Sequence, residues 1–225
     1  MTAVELKETE SKKAGESSQT VLREIAATLR RRALSLTPTD VGIDAHTASN
    51  SKPNSLWGVV IETAHPDAVA SLVVLADGSV SWYVSDGSGC IGCGAHRDVR
   101  KSGAELLAIA EQCTAIAMPT DDIHYPERDH VRFYFHTFEG LRSVQVRLED
   151  LNAVGAQLTT LYFAGQRVMS IGERVGAGQS LAQEIRRSLQ DSPGHDSTGS
   201  VANVSAMEGS PSCLSVGSAA RRLRI

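Results

Sequence analysis

Aromatic side chains are scarce in this 225-residue chain, at 4%, although 41% of its residues are hydrophobic. A core is available, but it must be built largely from Val, Leu, Ile and Ala. Long apolar runs are missing as well. None approaches the roughly 18 residues of a membrane span, and the opening MTAVELKETESKKAGESSQ lacks the apolar stretch of an export signal. The expectation is a soluble, cytoplasmic protein with no membrane partner. Positive charge is in deficit. The net formal charge is −4, and between Ser55 and Gly176 fifteen acidic side chains face nine basic ones. Nucleic acid is disfavoured as a partner, because phosphate affinity comes from concentrated Lys and Arg. The basic residues that do cluster, Arg30 to Arg32 and Arg221, Arg222 and Arg224, read as a solvated helix face and a tail. Four cysteines are too few for a disulfide framework in a chain this long, and without an export signal they are expected as free thiols or ligands. No nucleophile elbow, P-loop or H-E-x-x-H is found.

What is there divides along the chain. Residues 1–18 are charged and Ser-rich and are expected to be disordered. A helix follows over 19–36, with Val21, Ile25, Leu29 and Ala33 as its apolar stripe. Residues 37–54, rich in turn formers, form a linker. An α+β domain is predicted over 55–176, with a short amphipathic helix over 177–190 and a disordered Ser/Gly-rich tail over 191–225. Within the domain, Asp77-Gly78 marks a hairpin that would pair Leu75 with Val80 and Val73 with Trp82. The run Leu72 to Leu75 is apolar on both faces, so this strand is expected to be covered above and below. A helix with one buried face runs through Val99, Gly103, Leu106, Ala110, Cys113 and Ala117. A second hairpin turning at Glu139-Gly140 would set Phe138 opposite Leu141, Phe135 opposite Val144, Phe133 opposite Val146 and Val131 opposite Leu148. Its other face, with Arg132, Tyr134 and His136, is expected to meet solvent or an interface. Leu158, Leu161, Gly165, Val168 and Val175 indicate the last helix of the domain. The order is βββ-α-ββ-α: an antiparallel sheet of about five strands, an N-terminal helix, and helices on at least one face.

The stretch SDGSGCIGCGAH, residues 85–96, concentrates the candidate chemistry. Gly87, Gly89 and Gly92 fit G-x-G-x-x-G, but the preceding strand is antiparallel and no acidic strand end follows about 20 residues on, which counts against the dinucleotide reading. Cys90, Cys93 and His96 offer three zinc ligands without a second C-x-x-C to complete the set. A redox dithiol would start its helix at the first cysteine, whereas Gly92 and Gly94 bracket the second. The plain reading is a glycine-rich crossing loop. Its functional version holds an anion on the backbone N–H groups around Gly87, Gly89, Gly92, Gly94 and His96, with His96 the nearest general acid or base. The ligand-rich run DDIHYPERDHVRFYFH reads as a solvated loop leading into a strand; His130 and His136 lie about 20 Å apart on it, too far for one metal.

Residues 20–175 resemble an uncharacterised bacterial family. The likeness is carried by WGVVIETAHPDAVASLVVLADGSVSWYVSDGSG, the histidine and helix that follow, VRFYFHTFEGL and LTTLYFAGQRV. Gly87, Gly89, Gly92 and His96 match that family's loop, whereas Ser88, Cys90 and Cys93 depart from it. The resemblance implies no established activity. The element order is also reminiscent of roadblock, longin and profilin-like modules, which bind partners or regulate. The expected function is therefore a non-enzymatic interaction or regulatory module, with a protein partner or a homo-oligomer. Small-molecule or anion binding at 87–96 is the alternative, and zinc at Cys90, Cys93 and His96 a further one. No other cofactor is expected.

Overall fold

The computed structural model describes residues 3–50, 52 and 54–175. The segments 177–190 and 191–225, expected as a helix and a tail, lie outside the described residues. The chain runs through α1 (Ala3–Leu34), α2 (Ala45–Asn50), β1 (Leu56–Ala64), β2 (Val69–Leu75), β3 (Val80–Val84) and β4 (Gly89–Cys90). It continues through α3 (Arg97–Glu111), β5 (Met118–Pro119), β6 (His130–Thr137), β7 (Gly140–Arg147), α4 (Leu151–Val154) and α5 (Ala156–Val175). The strands form one antiparallel sheet in the order β4-β3-β2-β1-β6-β7-β5. The sheet therefore has seven strands where about five were expected. The two additions, β4 and β5, are two-residue strands at the edges, too short to leave a periodicity in the sequence.

β1 is central and buried at every position but the first. Val59 and Ile61 point to the layer made by α3 and α5, whereas Val60 and Glu62 point to the layer made by α1. β2 is covered on both sides, with Leu72 and Val74 in one core and Val73 and Leu75 in the other. The face that sequence spacing picks out is buried throughout, as Val99, Leu106, Ala110, Cys113 and Ala117 are all 0% exposed, but α3 ends at Glu111, and Cys113 and Ala117 flank the short turn Thr114–Ile116 rather than continuing the helix. Small residues bring the helices down: a Cβ on Gly103 would stand 2.9 Å from Val80, and one on Gly165 3.0 Å from Ile61. α5 buries Leu158, Leu161 and Val168, but Val175, expected on the same stripe, is exposed.

Both hairpins differ from expectation in register. β2 and β3 pair Val74 with Val80 and Leu72 with Trp82, one residue away from the expected Leu75–Val80 and Val73–Trp82. The cause is a three-residue loop: the Leu75 N–H donates to the Ser79 carbonyl, and Gly78 takes φ +84°, the left-handed residue that follows a type I turn in such hairpins. Trp82 thus moves to the face of Leu72. β6 and β7 pair Phe133 with Val144, Val131 with Val146 and Thr137 with Gly140. The tip is Phe138-Glu139, so every pair shifts by two from the expected set and the faces are conserved.

The N-terminal helix is the larger departure. α1 starts at Ala3 rather than near residue 19. Its buried line is Ala26, Arg30, Ala33 and Leu34, while Val21 is 51% exposed. A strict spacing of four precesses around a helix of 3.6 residues per turn, so the expected stripe meets the sheet at Ala33, is half-buried at Leu29 and Ile25, and has turned to solvent by Val21. α1 covers the second face. The hydroxyl of Tyr134 and the ring of His136, expected at solvent or an interface, belong to residues 0% and 2% exposed beneath it.

Candidate functional site

The glycine crossing is built around contacts rather than around a cavity. Asp86 accepts from the Ser88 N–H at 2.8 Å and closes the turn after β3. Gly87 lies at φ +96°, and a Cβ there would stand 2.5 Å from Leu22 Cβ on α1. Only glycine allows the helix to lie across this turn. Gly89 belongs to β4 against Tyr83. Gly94 sits on the β2–β3 turn, where a Cβ would run into the Gly78 carbonyl oxygen, and its own carbonyl accepts from Arg100 Nε at 2.8 Å. Several loop amides donate within the fold: Gly87 to the Val84 carbonyl, Gly92 to Ser81 Oγ, Ala95 to the Gly92 carbonyl and His96 to the Cys93 carbonyl.

Cys90 and Cys93, expected as free thiols or ligands, form a disulfide. Both are buried, at 8% and 2% exposure, whereas His96 is exposed before α3. The structure therefore joins the two sulfurs to each other and leaves the imidazole apart. Among the described residues no group of three or more His, Cys, Asp or Glu side chains is placed to hold a metal. Cys113 is a buried free thiol whose pKa is pushed up by burial.

The polar side chains that the fold brings together lie elsewhere, between α1 and the sheet. Arg30 donates from Nε to Glu62 Oε1 at 2.6 Å and from Nη2 to Glu62 Oε2 at 2.7 Å. This two-pronged pair is 6% and 0% exposed at its side chains. Ser71 Oγ donates to Glu62 Oε1 at 2.9 Å from the neighbouring strand. The remaining guanidinium capacity goes to the loop before β6: Nη1 donates to the Ile123 carbonyl at 2.6 Å, Nη2 to the His124 carbonyl at 3.1 Å, and the Tyr125 ring stacks 4.0 Å from the guanidinium. Tyr134 Oη donates to the same His124 carbonyl. Burial works against the Arg30 charge, but the Glu62 carboxylate overrides it and raises the pKa. Such a pair holds only because both partners and their spare valences are satisfied.

Around the pair the electrostatics follow from burial. The Tyr134 hydroxyl is pushed up to about 12 by burial and then by the Glu62 charge, and Tyr83 is raised for the same two reasons. His136 is lowered to about 4 by burial, while its bond to the Ala33 carbonyl at the end of α1 works the other way. Arg132 Nη2 donates to Asp122 Oδ2 at 2.7 Å. Asp122 is held well below the usual carboxylate range, first by the His124 backbone N–H and then by Arg132. Among the described residues, four buried polar atoms on this α1-facing side have no hydrogen-bond partner: Trp57 Nε1, Tyr83 Oη, Arg132 Nε and His136 Nε2. With Glu62 sealed and bonded through both oxygens, the cluster anchors α1 and the 120–129 loop.

Arg30 was legible only indirectly. Beside Arg31 and Arg32 it reads as part of a solvated face; in the structure Arg31 is exposed, Arg32 pairs with Asp40 at the surface and Arg30 turns inward. The available signal was Glu62 in LWGVVIETA, since a carboxylate in a strand buried on both faces requires a cationic partner. The 120–129 loop, read as merely solvated, gives two carbonyls to that partner.

A shallow groove of about 280 Å³ lies between α3 and α5, lined by Asp98, Lys101, Glu105, Arg167 and Arg174 among others. Glu105 and Arg167 approach to 3.5 Å across it. Among the described residues no helix is long and apolar enough to cross a membrane. Comparison with protein families, curated proteins and solved structures finds no match to this chain.

Proposed function

We propose that the chain is a non-enzymatic interaction or regulatory module, working in the cytoplasm through a protein partner or a second copy of itself. The observation that carries this reading is where the polar groups go. Arg30, Glu62, Ser71 and Tyr134, with the carbonyls of Ile123 and His124, are used up in holding α1 on the sheet, and the surface offers a shallow groove of alternating charge. Grooves of that kind suit another protein's charged side chains better than a small molecule, which calls for a deeper and more apolar pocket. The acidic balance of the domain speaks against nucleic acid. The element order read from the sequence is reminiscent of roadblock, longin and profilin-like modules, an analogy at the level of fold alone.

Sedimentation equilibrium from micromolar to near-millimolar protein, at low and high salt, tests the reading. Self-association that weakens with salt and in Lys101→Glu/Arg167→Glu supports it. A monomer throughout, together with no partner retained by immobilised protein, overturns it.

The alternative is an anion or small molecule at 87–96. It is favoured by the exposure of His96 at the start of α3, where the helix dipole suits negative charge. A ligand at 100 times its dissociation constant stabilises a protein by about 2.7 kcal/mol, so thermal denaturation with phosphates and nucleotides detects it. An unchanged Tm across the series removes it. Zinc at Cys90, Cys93 and His96 requires the disulfide to open first. Metal content of the reduced protein decides that reading.

A further inference from the structure

We propose that Cys90–Cys93 is a thiol–disulfide exchange site, and that its oxidation state sets how firmly the Leu22 end of the α1 contact is held on the domain. The two sulfurs belong to parts of very different firmness. Cys93 opens the short turn Cys93–Ala95, whose Gly94 is pressed against the Gly78 carbonyl and Val80, and whose carbonyl oxygen at Gly94 is held by Arg100. Cys90 ends a two-residue edge strand that pairs only through Trp82–Cys90 and Tyr83–Gly89. The disulfide thus staples a frail edge to a fixed anchor.

Access follows from the same asymmetry. The cysteines are buried in the native state, but opening two residues of an edge strand exposes Cys90 without unfolding the sheet, the kind of local opening that costs far less than global unfolding. A small dithiol reductant completes the chemistry. Its first thiolate attacks Cys90 Sγ, the sulfur–sulfur bond breaks, and Cys93 leaves as a thiolate. The second thiolate of the reductant then attacks the reductant's own sulfur in the mixed disulfide and releases Cys90. The protein disulfide gains two electrons, the dithiol loses two as it closes to a cyclic disulfide, and the reductant's two protons end on Cys90 and Cys93.

The coupling to α1 runs through Gly87. It lies three residues before Cys90, in the turn held by the Val84 N–H to Ser88 carbonyl bond, with Leu22 lying across it. While the staple holds β4, that turn is fixed beneath Leu22. Once the staple opens, β4 rests on two residue pairs, and the turn moves with it. The Arg30–Glu62 end of the helix stays anchored, so loosening is confined to the Leu22 side.

Hydrogen exchange on the full chain, oxidised and after treatment with dithiothreitol, reads this directly. Expected is a fall of about tenfold in protection of the amides of residues 20–27 on reduction, with β1 and residues 99–110 of α3 unchanged. Cys90→Ser/Cys93→Ser should show the reduced pattern whatever the reductant, and Cys113→Ser should keep the full response. Equal protection of residues 20–27 in both states overturns the coupling. The exchange site itself is overturned if the disulfide resists dithiothreitol until the whole domain unfolds, or if alkylation of the unreduced protein finds both cysteines as thiols.

Discussion

Arg30 and Glu62 form a buried charge pair in which each residue depends on the other. Each is buried, and each is the other's only counter-charge within the hydrogen-bonded cluster. Removing one partner of a buried pair leaves the other uncompensated, at a cost of about 3–5 kcal/mol, whereas replacing both with apolar residues of similar volume is often close to neutral. Arg30→Met and Glu62→Leu should each lose several kcal/mol in urea unfolding, and the double variant should regain most of it. Two additive losses would mean that the pair is not coupled. Gly94→Ala should cost about 1–3 kcal/mol in the same measurement, because its methyl meets the Gly78 backbone rather than a side chain that can swing away. At this scale the sequence was only partly readable. Glycine marked the crossing correctly, but whether that meant ligand or packing depended on Leu22 and Gly78, 65 and 16 positions away from Gly87 and Gly94. Nothing local to the crossing encodes those neighbours.

Among the elements, the sheet strands and the α3 and α5 helices were legible because their burial is periodic and one-sided, or continuous where both faces are covered. Register was not. Asp77-Gly78 fits a two-residue and a three-residue loop equally well as a string, and Asp77 decides it by accepting from the N–H and hydroxyl of Ser79. Gly78→Ala should destabilise the β2–β3 hairpin by about 1–2 kcal/mol, the cost of a left-handed conformation for a residue with a Cβ. A loss of only a few tenths in equilibrium unfolding would argue against the three-residue geometry. α1 was misread for a related reason. A helix that docks through two alanines and an arginine on its inner face presents few apolar residues to count. Of the stripe chosen on hydrophobicity, Ala33 belongs to the true contact, Ile25 and Leu29 form its half-buried flank, and Val21 is exposed.

For the whole molecule, the second face of the sheet sets the response to acid. The unfolded histidine titrates near 6.5 and His136 in the fold near 4. Between those values the unfolded chain binds the extra proton, so folding stability rises with pH across that window and is lost as pH falls toward 4. The full effect of His136 is about 3 kcal/mol. Unfolding free energies from pH 4 to 7 should show that slope, and His136→Phe should flatten it; an unchanged slope in the variant would place the acid sensitivity elsewhere. The α+β architecture was readable in advance, and so was the cover on both faces of β2, but the seven-strand count and the way α1 supplies the second layer were not, since that helix contributes a charge where a hydrophobe was sought. That arrangement also imposes an order on the chain's own history. The Arg30 guanidinium leaves the ribosome early, and the carbonyls of Ile123 and His124 that receive it follow 93 and 94 residues later. α1 is therefore made before the strands and the loop that hold it, and is among the last elements to be seated. The half-built sheet must present Trp57, Val60 and Tyr83 to water until the strand and loop that complete the seat have emerged.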